Sequence, residues 1–235
     1  GKIGNGFIMR LLNTWKRMSL CLYEGVRKMN YIEKYFFKVR NVYITNMSNK
    51  DRLKPVERKP SIYVDFFDLK RDDLIDTLFN IYENREIAKK YSARDNKIWK
   101  LIIAYYNKEP IGAFWILEPA QSVFYDSIEI NKNQLLFCSV YVKPIYRGKG
   151  IYNQMHNKAF EYWEKNCQEK EVITIVEKSN VASNRSNQKY GLEILGRNYL
   201  IKFMGKNIVS IYKTKEENKT WFLINKKKVL TWMMP

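Results

Sequence analysis

Cysteine and histidine are scarce in this chain of 235 residues, which has three cysteines and one histidine. Cys21, Cys138 and Cys167 are far apart, odd in number and never arranged as a C-x-x-C pair. A disulfide framework and a zinc site are therefore both disfavoured, and no resident metal is expected. The same scarcity suits a reducing compartment, so we predict a cytoplasmic protein.

Long apolar stretches are missing as well. No run approaches the roughly 18 residues that a helix needs to cross a bilayer, and the first residues lack a compact apolar segment followed by a cleavage site. The chain is nevertheless 46% apolar and 15% aromatic, which is ample for a packed core. We therefore predict a globular protein with one large, decorated domain.

Acidic residues are the minority among the charged side chains, with 24 Asp and Glu against 42 Lys and Arg. The basic excess is concentrated in residues 1–60, which hold 14 basic and 4 acidic side chains and end in the proline-containing, charged stretch Leu53 to Pro60. From Phe7 to Val42, apolar residues recur near helical spacing among arginines and lysines. We predict a basic amphipathic N-terminal extension over residues 1–60.

Three roles are open for this extension. Its apolar side could pack on the body of the protein, or the segment could lie on an anionic membrane surface, which would place the protein peripherally at the inner membrane face. Nucleic acid is a third alternative for a basic segment. No aromatic RNP strand or GXXG loop accompanies it, so we do not expect a nucleic-acid partner.

Beyond Pro60 the pattern alternates between strands and helices. Asn107 to Pro110 is a turn between two apolar runs, which predicts an antiparallel hairpin. Residues 214–235 are lysine-rich and form a predicted basic C-terminal extension. The predicted strands are Ile62 to Phe67, Trp99 to Tyr106, Ile111 to Leu117, Leu135 to Val142, Val172 to Val176, Ile194 to Met204 and Ile208 to Tyr212, and the predicted helices are Arg71 to Tyr91, Gly150 to Cys167 and Ser183 to Tyr190.

The most informative segment is residues 140–151, Val-Tyr-Val-Lys-Pro-Ile-Tyr-Arg-Gly-Lys-Gly-Ile. An apolar strand breaks at Pro144 into a basic turn, and a helix then begins. Glycines at 148 and 150 let backbone N–H groups converge, the helix adds the positive end of its dipole, and Arg147 and Lys149 add full charges. The segment therefore predicts a pyrophosphate site, although its spacing matches neither the P-loop nor the G-x-G-x-x-G fingerprint.

A second segment lies downstream in a matching order. After the strand Val172 to Val176 come Asn180-Val181-Ala182-Ser183 and then Lys189-Tyr190-Gly191-Leu192. Ser183 is a good N-cap for a short helix, and Gly191 is a good residue to end it in a left-handed conformation. Together, the two segments resemble the GNAT superfamily of acyl-CoA-dependent N-acyltransferases, and the resemblance covers residues 98–213.

The resemblance implies an α/β GNAT fold over residues 61–213. Its central sheet is mixed, mostly antiparallel and splayed between the fourth and fifth strands, with helices on both faces. Acetyl-CoA is the implied cosubstrate. The implied coenzyme-binding residues are Ser139, Val140, Tyr141 and Val142 along the pantetheine arm, Arg147, Gly148, Lys149, Gly150, Ile151 and Tyr152 at the pyrophosphate, and Asn180, Ser183 and Asn187 on the far side.

The chain departs from the family at the positions that handle protons. Members often carry a tyrosine seven residues after the asparagine, and this chain has Asn187 there. Some carry a glutamate 13 residues before the loop arginine, where this chain has Gln134, and the small residue that ends the loop pattern is replaced by Tyr152. The substitute candidates are Glu177 as a base and Tyr141 and Tyr190 as proton donors, each with a solvated or packing role as the alternative. We expect His156 to be a surface or partly buried residue, and Asp126 and Glu129 to line the acceptor site or a solvated loop.

These observations predict an N-acyltransferase that moves an acetyl group from coenzyme A to a primary amine. The first candidate acceptor is an amino sugar or nucleotide sugar of envelope polysaccharide synthesis. The alternatives are a peptide or protein amine, or an acyl group taken from an acidic acyl carrier protein, whose charge would suit a basic chain. A non-catalytic module that binds coenzyme A or another anion is an alternative of a different class. The oligomeric state stays open, a dimer included.

Overall fold

Each strand predicted between residues 62 and 212 is present, one predicted helix is divided into two, and further strands flank these elements. The structure is a computed structural model, and it describes residues 37–52, 61–125, 128–203, 206–214, 218–224 and 228–233. Within these ranges the strands are β1 (Phe37–Thr45), β2 (Ile62–Phe67), β3 (Trp99–Tyr106), β4 (Glu109–Leu117), β5 (Val123–Tyr125), β6 (Ile128–Ile130), β7 (Gln134–Val142), β8 (Glu171–Glu177), β9 (Glu193–Phe203), β10 (Lys206–Thr214), β11 (Asn218–Ile224) and β12 (Lys228–Met233). The helices are α1 (Leu74–Tyr82), α2 (Arg85–Ser92), α3 (Ile151–Asn166) and α4 (Val181–Lys189).

Ten strands form one sheet in the order β12-β11-β10-β9-β1-β8-β7-β4-β3-β2, and β5 and β6 form a separate hairpin. Among the described strands, β7 and β8 pair in parallel, whereas every other neighbouring pair of the large sheet is antiparallel. The predicted mixed, mostly antiparallel sheet is therefore confirmed. Asn107 and Lys108 have φ angles of 49° and 67° between β3 and β4, as a tight hairpin turn requires.

The parallel pair β7–β8 is short. Its register runs from Gln134 opposite Glu171 to Phe137 opposite Thr174, and it ends there. β7 continues to Val142 and β8 continues to Glu177, so the last residues of both strands lie beyond the paired register. The pairing of β7 with β8 therefore ends before either strand does, and the splay between the fourth and fifth strands of the domain stays a prediction.

Each face of the sheet is covered by helix. On one face, α3 packs Met155 and Trp163 against Phe114 and Phe137. On the other face, Leu78 of α1 belongs to a second cluster with Trp115 and its neighbours. Residues Ile111 to Leu117 of β4 are buried on both sides, which is why this strand reads as a continuous apolar run.

Strand β1 is the main departure from the sequence prediction. The helical pattern predicted for Phe7 to Val42 is wrong from Phe37 onward, because residues 37–45 form a strand between β8 and β9. Val42 and Tyr43 are 1% and 0% exposed, and such β-branched and aromatic residues suit a covered strand. The remainder of the pattern and the Leu53 to Pro60 boundary lie outside the described residues, so the predicted division of the chain stays a prediction.

The helix predicted from Arg71 to Tyr91 is two helices. Glu83 adopts a left-handed φ of 52°, and Asn84 caps α2 by accepting a hydrogen bond from the Ile87 amide at 3.0 Å. Asn180 caps α4, where Ser183 was predicted, and its Oδ1 accepts from the Ser183 amide at 3.2 Å. Gly191 has a φ of 87°, which confirms the predicted left-handed helix end.

Candidate active site

A cleft of about 640 Å³ opens between the end of β7, the turn that follows it, the start of α3 and helix α4. It lies beside the end of β7 that extends past the β7–β8 register. Most of the residues predicted to contact coenzyme A line this cleft; Ser139, Lys149 and Asn187 are the exceptions. The predicted residues that line it are Val140, Tyr141, Val142, Arg147, Gly148, Gly150, Ile151, Tyr152, Asn180 and Ser183.

The turn has the backbone geometry that the glycines predict. Gly148 and Gly150 have φ angles of 75° and 78°, which L side chains rarely adopt. Arg147 donates from Nε to the Val142 carbonyl at 3.0 Å, which ties the turn to the end of β7. Gly150 is the N-cap of α3, and no side chain caps this helix. First-turn amide groups are therefore available to an anion, so the residues fit a pyrophosphate.

Helix α4 supplies cations that the sequence analysis did not assign. Arg185 and Lys189 line the cleft together with Ala182 and Ser186. These four residues recur at i, i+3, i+4 and i+7, which is one face of a helix, and that spacing was the available signal. Ser186 donates to Asn153 Oδ1 at 2.9 Å and so joins the α3 and α4 walls.

Ser139 lies at a β-bulge in β7. The register with β4 shifts by one residue between the Ala113–Tyr141 and Trp115–Cys138 pairs, and Ser139 has a left-handed φ of 50°. Its Oγ accepts a hydrogen bond from Arg94 at 2.9 Å and lies 3.0 Å from the Tyr125 hydroxyl. These bonds tie Ser139 to Arg94 and Tyr125, and it does not line the cleft.

Of the three candidate proton-handling residues, the structure brings only Tyr141 into the cleft. Its ring centroid lies 5.1 Å from that of Tyr82. Tyr190 is buried, and its hydroxyl lies 2.5 Å from the Asn153 carbonyl oxygen and 2.7 Å from Asn157 Oδ1, so it ties the end of α4 to α3. Glu177 is exposed at the end of β8 and forms an ion pair with Lys38 of β1.

Two of the three unusual positions of the family pattern contact each other. Tyr152 donates from its hydroxyl to Oδ1 of the fully buried Asn187 at 3.3 Å. Burial raises the pKa of Tyr152 far above the ordinary value for tyrosine, so the phenol keeps its proton. Gln134 lies at the other end of β7, where its amide donates to Glu171 at 3.2 Å.

His156 is not the surface or partly buried residue that we predicted. It is 1% exposed, and both ring nitrogens are buried without a hydrogen-bond partner in the described part of the chain. The imidazole packs among aromatic rings, including those of Phe114, Phe137 and Phe160. Burial lowers its pKa to about 3, so the ring is neutral at physiological pH.

The two carboxylates that were predicted to line the acceptor site are not brought together within the described residues. Asp126 lies outside the described residues, and Glu129 is an exposed residue of β6. Across the described ranges, no group of three or more histidine, cysteine, aspartate or glutamate residues is placed to hold a metal ion. None of the four described helices has the length and apolar character needed to cross a bilayer.

Comparison with known sequences places the chain in a family. Residues 63–191, more than half of the chain, match the profile of the Acetyltransferase (GNAT) family. The chain therefore belongs to this family, and the predicted superfamily is confirmed. The family consists of N-acetyltransferases that use acetyl-CoA, which also confirms the predicted enzyme class and cosubstrate. None of the curated proteins is similar to the chain in sequence.

Solved structures share the fold at low sequence identity. The tandem GNAT protein from the clavulanic acid biosynthesis pathway has a TM-score of 0.52 and 12% identity, over 68% of this chain and 51% of that one. The GCN5-related N-acetyltransferase from Sphaerobacter thermophilus has a TM-score of 0.50 and 15% identity, over 73% of this chain and 53% of that one. A functionally unknown conserved protein from Staphylococcus epidermidis ATCC 12228 has 16% identity and a TM-score of 0.49, and 65% of its length is covered. The chain thus spans about half to two thirds of these proteins.

Proposed function

We propose that this chain transfers the acetyl group of acetyl-CoA to the primary amine of an amino sugar or nucleotide sugar of envelope polysaccharide synthesis. The observation that carries the transferase proposal is the cleft itself. Its residues come from the glycine turn before α3, from the end of β7 beyond its register with β8, and from the side of α4 that faces them. These are the segments that the family resemblance assigns to coenzyme A.

Each wall of the cleft has a distinct part in this proposal. The amides at the start of α3, with Arg147 beside them, bind the pyrophosphate. The backbone of Val140 to Val142 lies beyond the β7–β8 register, so the edge of this segment opposite β4 can pair with the pantetheine arm. Bound acetyl-CoA supplies the activated acyl group. Positioning the amine against it contributes much of the rate, because the two reactants then meet without a search in solution.

The residues that line the described cleft include no carboxylate and no imidazole. They include three cations, Arg147, Arg185 and Lys189, which oppose protonation of an amine held nearby. We therefore propose that the acceptor reacts as its own free base and that the protein supplies no general base. The rate should then follow the fraction of acceptor amine that is unprotonated, rising with pH until the amine is fully neutral.

Turnover on a panel of amines tests the function. Release of the coenzyme A thiol is followed with acetyl-CoA and glucosamine, a UDP-linked amino sugar, or a lysine-containing peptide. The proposal predicts turnover with a sugar amine. Turnover on the peptide alone would reassign the acceptor, and binding of acetyl-CoA without turnover on any amine would indicate a non-catalytic module. Replacing acetyl-CoA by acetylated acyl carrier protein tests the alternative donor, which the cations at the cleft favour.

Arg147→Ala tests the cleft directly. Loss of a hydrogen bond to a charged group should weaken coenzyme A binding by roughly 1.5 to 3 kcal/mol, measured by calorimetry. Arg71→Ala is the matched control, because Arg71 is an exposed arginine that pairs with Asp73 and does not line the cleft. Equal affinity of the folded Arg147→Ala variant and the wild type would remove the cleft as the coenzyme site.

A further inference from the structure

Arg94 lies in a cage of aromatic rings between α2 and β3. The centre of its guanidinium is 3.9 Å from the Trp99 ring centroid, 4.3 Å from that of Tyr91 and 4.4 Å from that of Trp115. A guanidinium at such distances is attracted by the ring faces and is held in one place. The cage therefore positions a fixed cation.

Among the described residues, no carboxylate pairs with Arg94. Nη2 donates to Ser139 Oγ, a neutral acceptor, whereas Nη1 is buried and has no hydrogen-bond partner among the described residues. Two other largely buried cations have carboxylate partners: Lys143 pairs with Glu109 at 2.6 Å and Lys170 pairs with Glu118 at 2.9 Å. A buried guanidinium nitrogen without a hydrogen-bond partner is costly, so Arg94 is suited to pair with an anion.

The position of this cation relates it to the acetyl-transfer site. Ser139, which Arg94 contacts, is the bulge residue immediately before the Val140 to Val142 segment of the cleft. Trp115 and Cys138 belong to the core cluster on the α1 face of the sheet, whereas the pyrophosphate turn opens α3 on the opposite face. Arg94, Tyr91, Trp99 and Ser139 are all only partly buried, so solvent reaches the cage. A molecule arriving from the α1 face would meet Arg94 beside the Ser139 bulge of β7.

We infer that the acceptor amine carries an anionic group, a carboxylate or a phosphate, and that Arg94 binds this group. The inference rests on the proposed acetyl transfer and narrows its acceptor. Arg94 anchors the anionic end on the α1 face, and the neutral amine end extends past the Ser139 bulge toward the cleft. The Tyr125 hydroxyl, 3.0 Å from Ser139 Oγ, adds a second polar group at the same point.

Paired ligands that differ in one charge test the inference. Binding of glucosamine 6-phosphate and glucosamine, and of β-alanine and β-alaninamide, is measured by calorimetry with coenzyme A already bound, so that phosphate does not occupy the pyrophosphate site. Wild type should bind the anionic member of at least one pair roughly 10- to 150-fold more tightly, the range for a hydrogen bond to a charged group. Arg94→Gln should bring that affinity ratio close to one.

Arg71→Gln is the matched control, because it removes an arginine that also stacks on a ring, with its guanidinium carbon 4.6 Å from the Phe67 centroid. This variant should keep the wild-type ratio. If Arg94→Gln does not fold, Arg94→Lys replaces it: the lysine keeps the charge but not the planar fork, so a reduced preference should persist. Equal binding of charged and neutral partners by wild type, or an unchanged ratio in Arg94→Gln, would overturn the inference.

Acetyl transfer is followed in parallel with the same ligands. Transfer without any preference for the anionic member would overturn this inference and leave the proposed function intact. Anion-selective binding that depends on Arg94 but gives no transfer would support the site and refute the proposed reaction.

Discussion

Replacing His156 by phenylalanine should remove most of the pH dependence of stability near neutrality. The imidazole is 1% exposed, lies among the rings of Phe114, Phe137 and Phe160, and has no partner for either nitrogen in the described residues. Burial lowers its pKa to about 3, because a charged imidazolium would be desolvated there. In the unfolded chain the same group titrates near its ordinary value.

The sign and size of the effect follow from proton linkage. Below a pKa of about 6.5 the unfolded state binds a proton that the folded state rejects, so acid favours unfolding until the folded group also titrates near 3. The full effect of His156 on stability is thus present above about pH 6.5 and diminishes by about 1.4 kcal/mol for each unit below it. Between about pH 7.5 and pH 5, wild type should lose about 2 kcal/mol from this group.

Urea unfolding at several pH values measures the slope. The chain has one histidine, and the strongly shifted carboxyls Asp65 and Glu118 have pKa values near 2, so their side chains stay ionised in the folded state over this window. His156→Phe should be nearly flat between about pH 7.5 and pH 5, and its stability at the upper end should lie within about 1.5 kcal/mol of wild type. A slope in the variant equal to that of wild type would refute the reasoning.

Three further substitutions test other parts of the structure. Gly148→Ala should cost roughly 1 to 2 kcal/mol in chemical unfolding because φ is 75°, while an added Cβ would meet nothing within 4 Å; Gly148→Asn should cost less, and an alanine variant as stable as wild type would contradict this. Burial alone would raise the pKa of Glu118, but hydrogen bonds from Tyr162 and Lys170 lower it to about 2. The ionised carboxylate therefore stabilises the fold above about pH 4.5, and this stabilisation is lost as the pH falls toward 2. Glu118→Gln should abolish that acid-dependent loss in unfolding experiments, and an unchanged acid slope would refute it. Glu177→Gln should leave turnover within a few-fold of wild type if the amine reacts as its own free base, whereas a loss of roughly 100-fold would make Glu177 the base.

The cleft could be predicted from sequence to the extent that it is local. The strand, turn and helix around Gly148 and Gly150 are contiguous in sequence. The two glycines indicate the left-handed backbone of the turn, and the start of α3 directly after them leaves its first amide groups without a side-chain cap. The α4 wall was predicted through Asn180 and Ser183, although the cap proved to be the first of these. Short-range chemistry of this kind is visible in one stretch of residues.

Long-range pairing limited the rest. The apolar residues of Phe37–Thr45 fit both helical and strand spacing over so short a run. The segment is a strand because it pairs with β8 on one side and with β9 on the other, and both partners are distant in sequence. The Arg94 cage joins Tyr91, Trp99 and Trp115 from three segments, so no sequence window contains it. His156 was misplaced for the same reason, since its burial depends on strands distant in the chain.

The location of β1 explains how the cleft can stay open without loosening the sheet. β8 pairs with β7 only as far as Thr174, but its pairing with β1 continues through Ile175, Val176 and Glu177. The Lys178 amide also donates to the Val39 carbonyl at 2.8 Å. The end of β8 is therefore paired with β1 on one side, while its other side lies beyond the register with β7. The family match begins at residue 63, so the strand that stabilises this edge lies outside it. Strand β1 belongs to the segment that was predicted from its charge to be an N-terminal extension. It thus supports the strand next to the cleft in which acetyl-CoA is expected to bind.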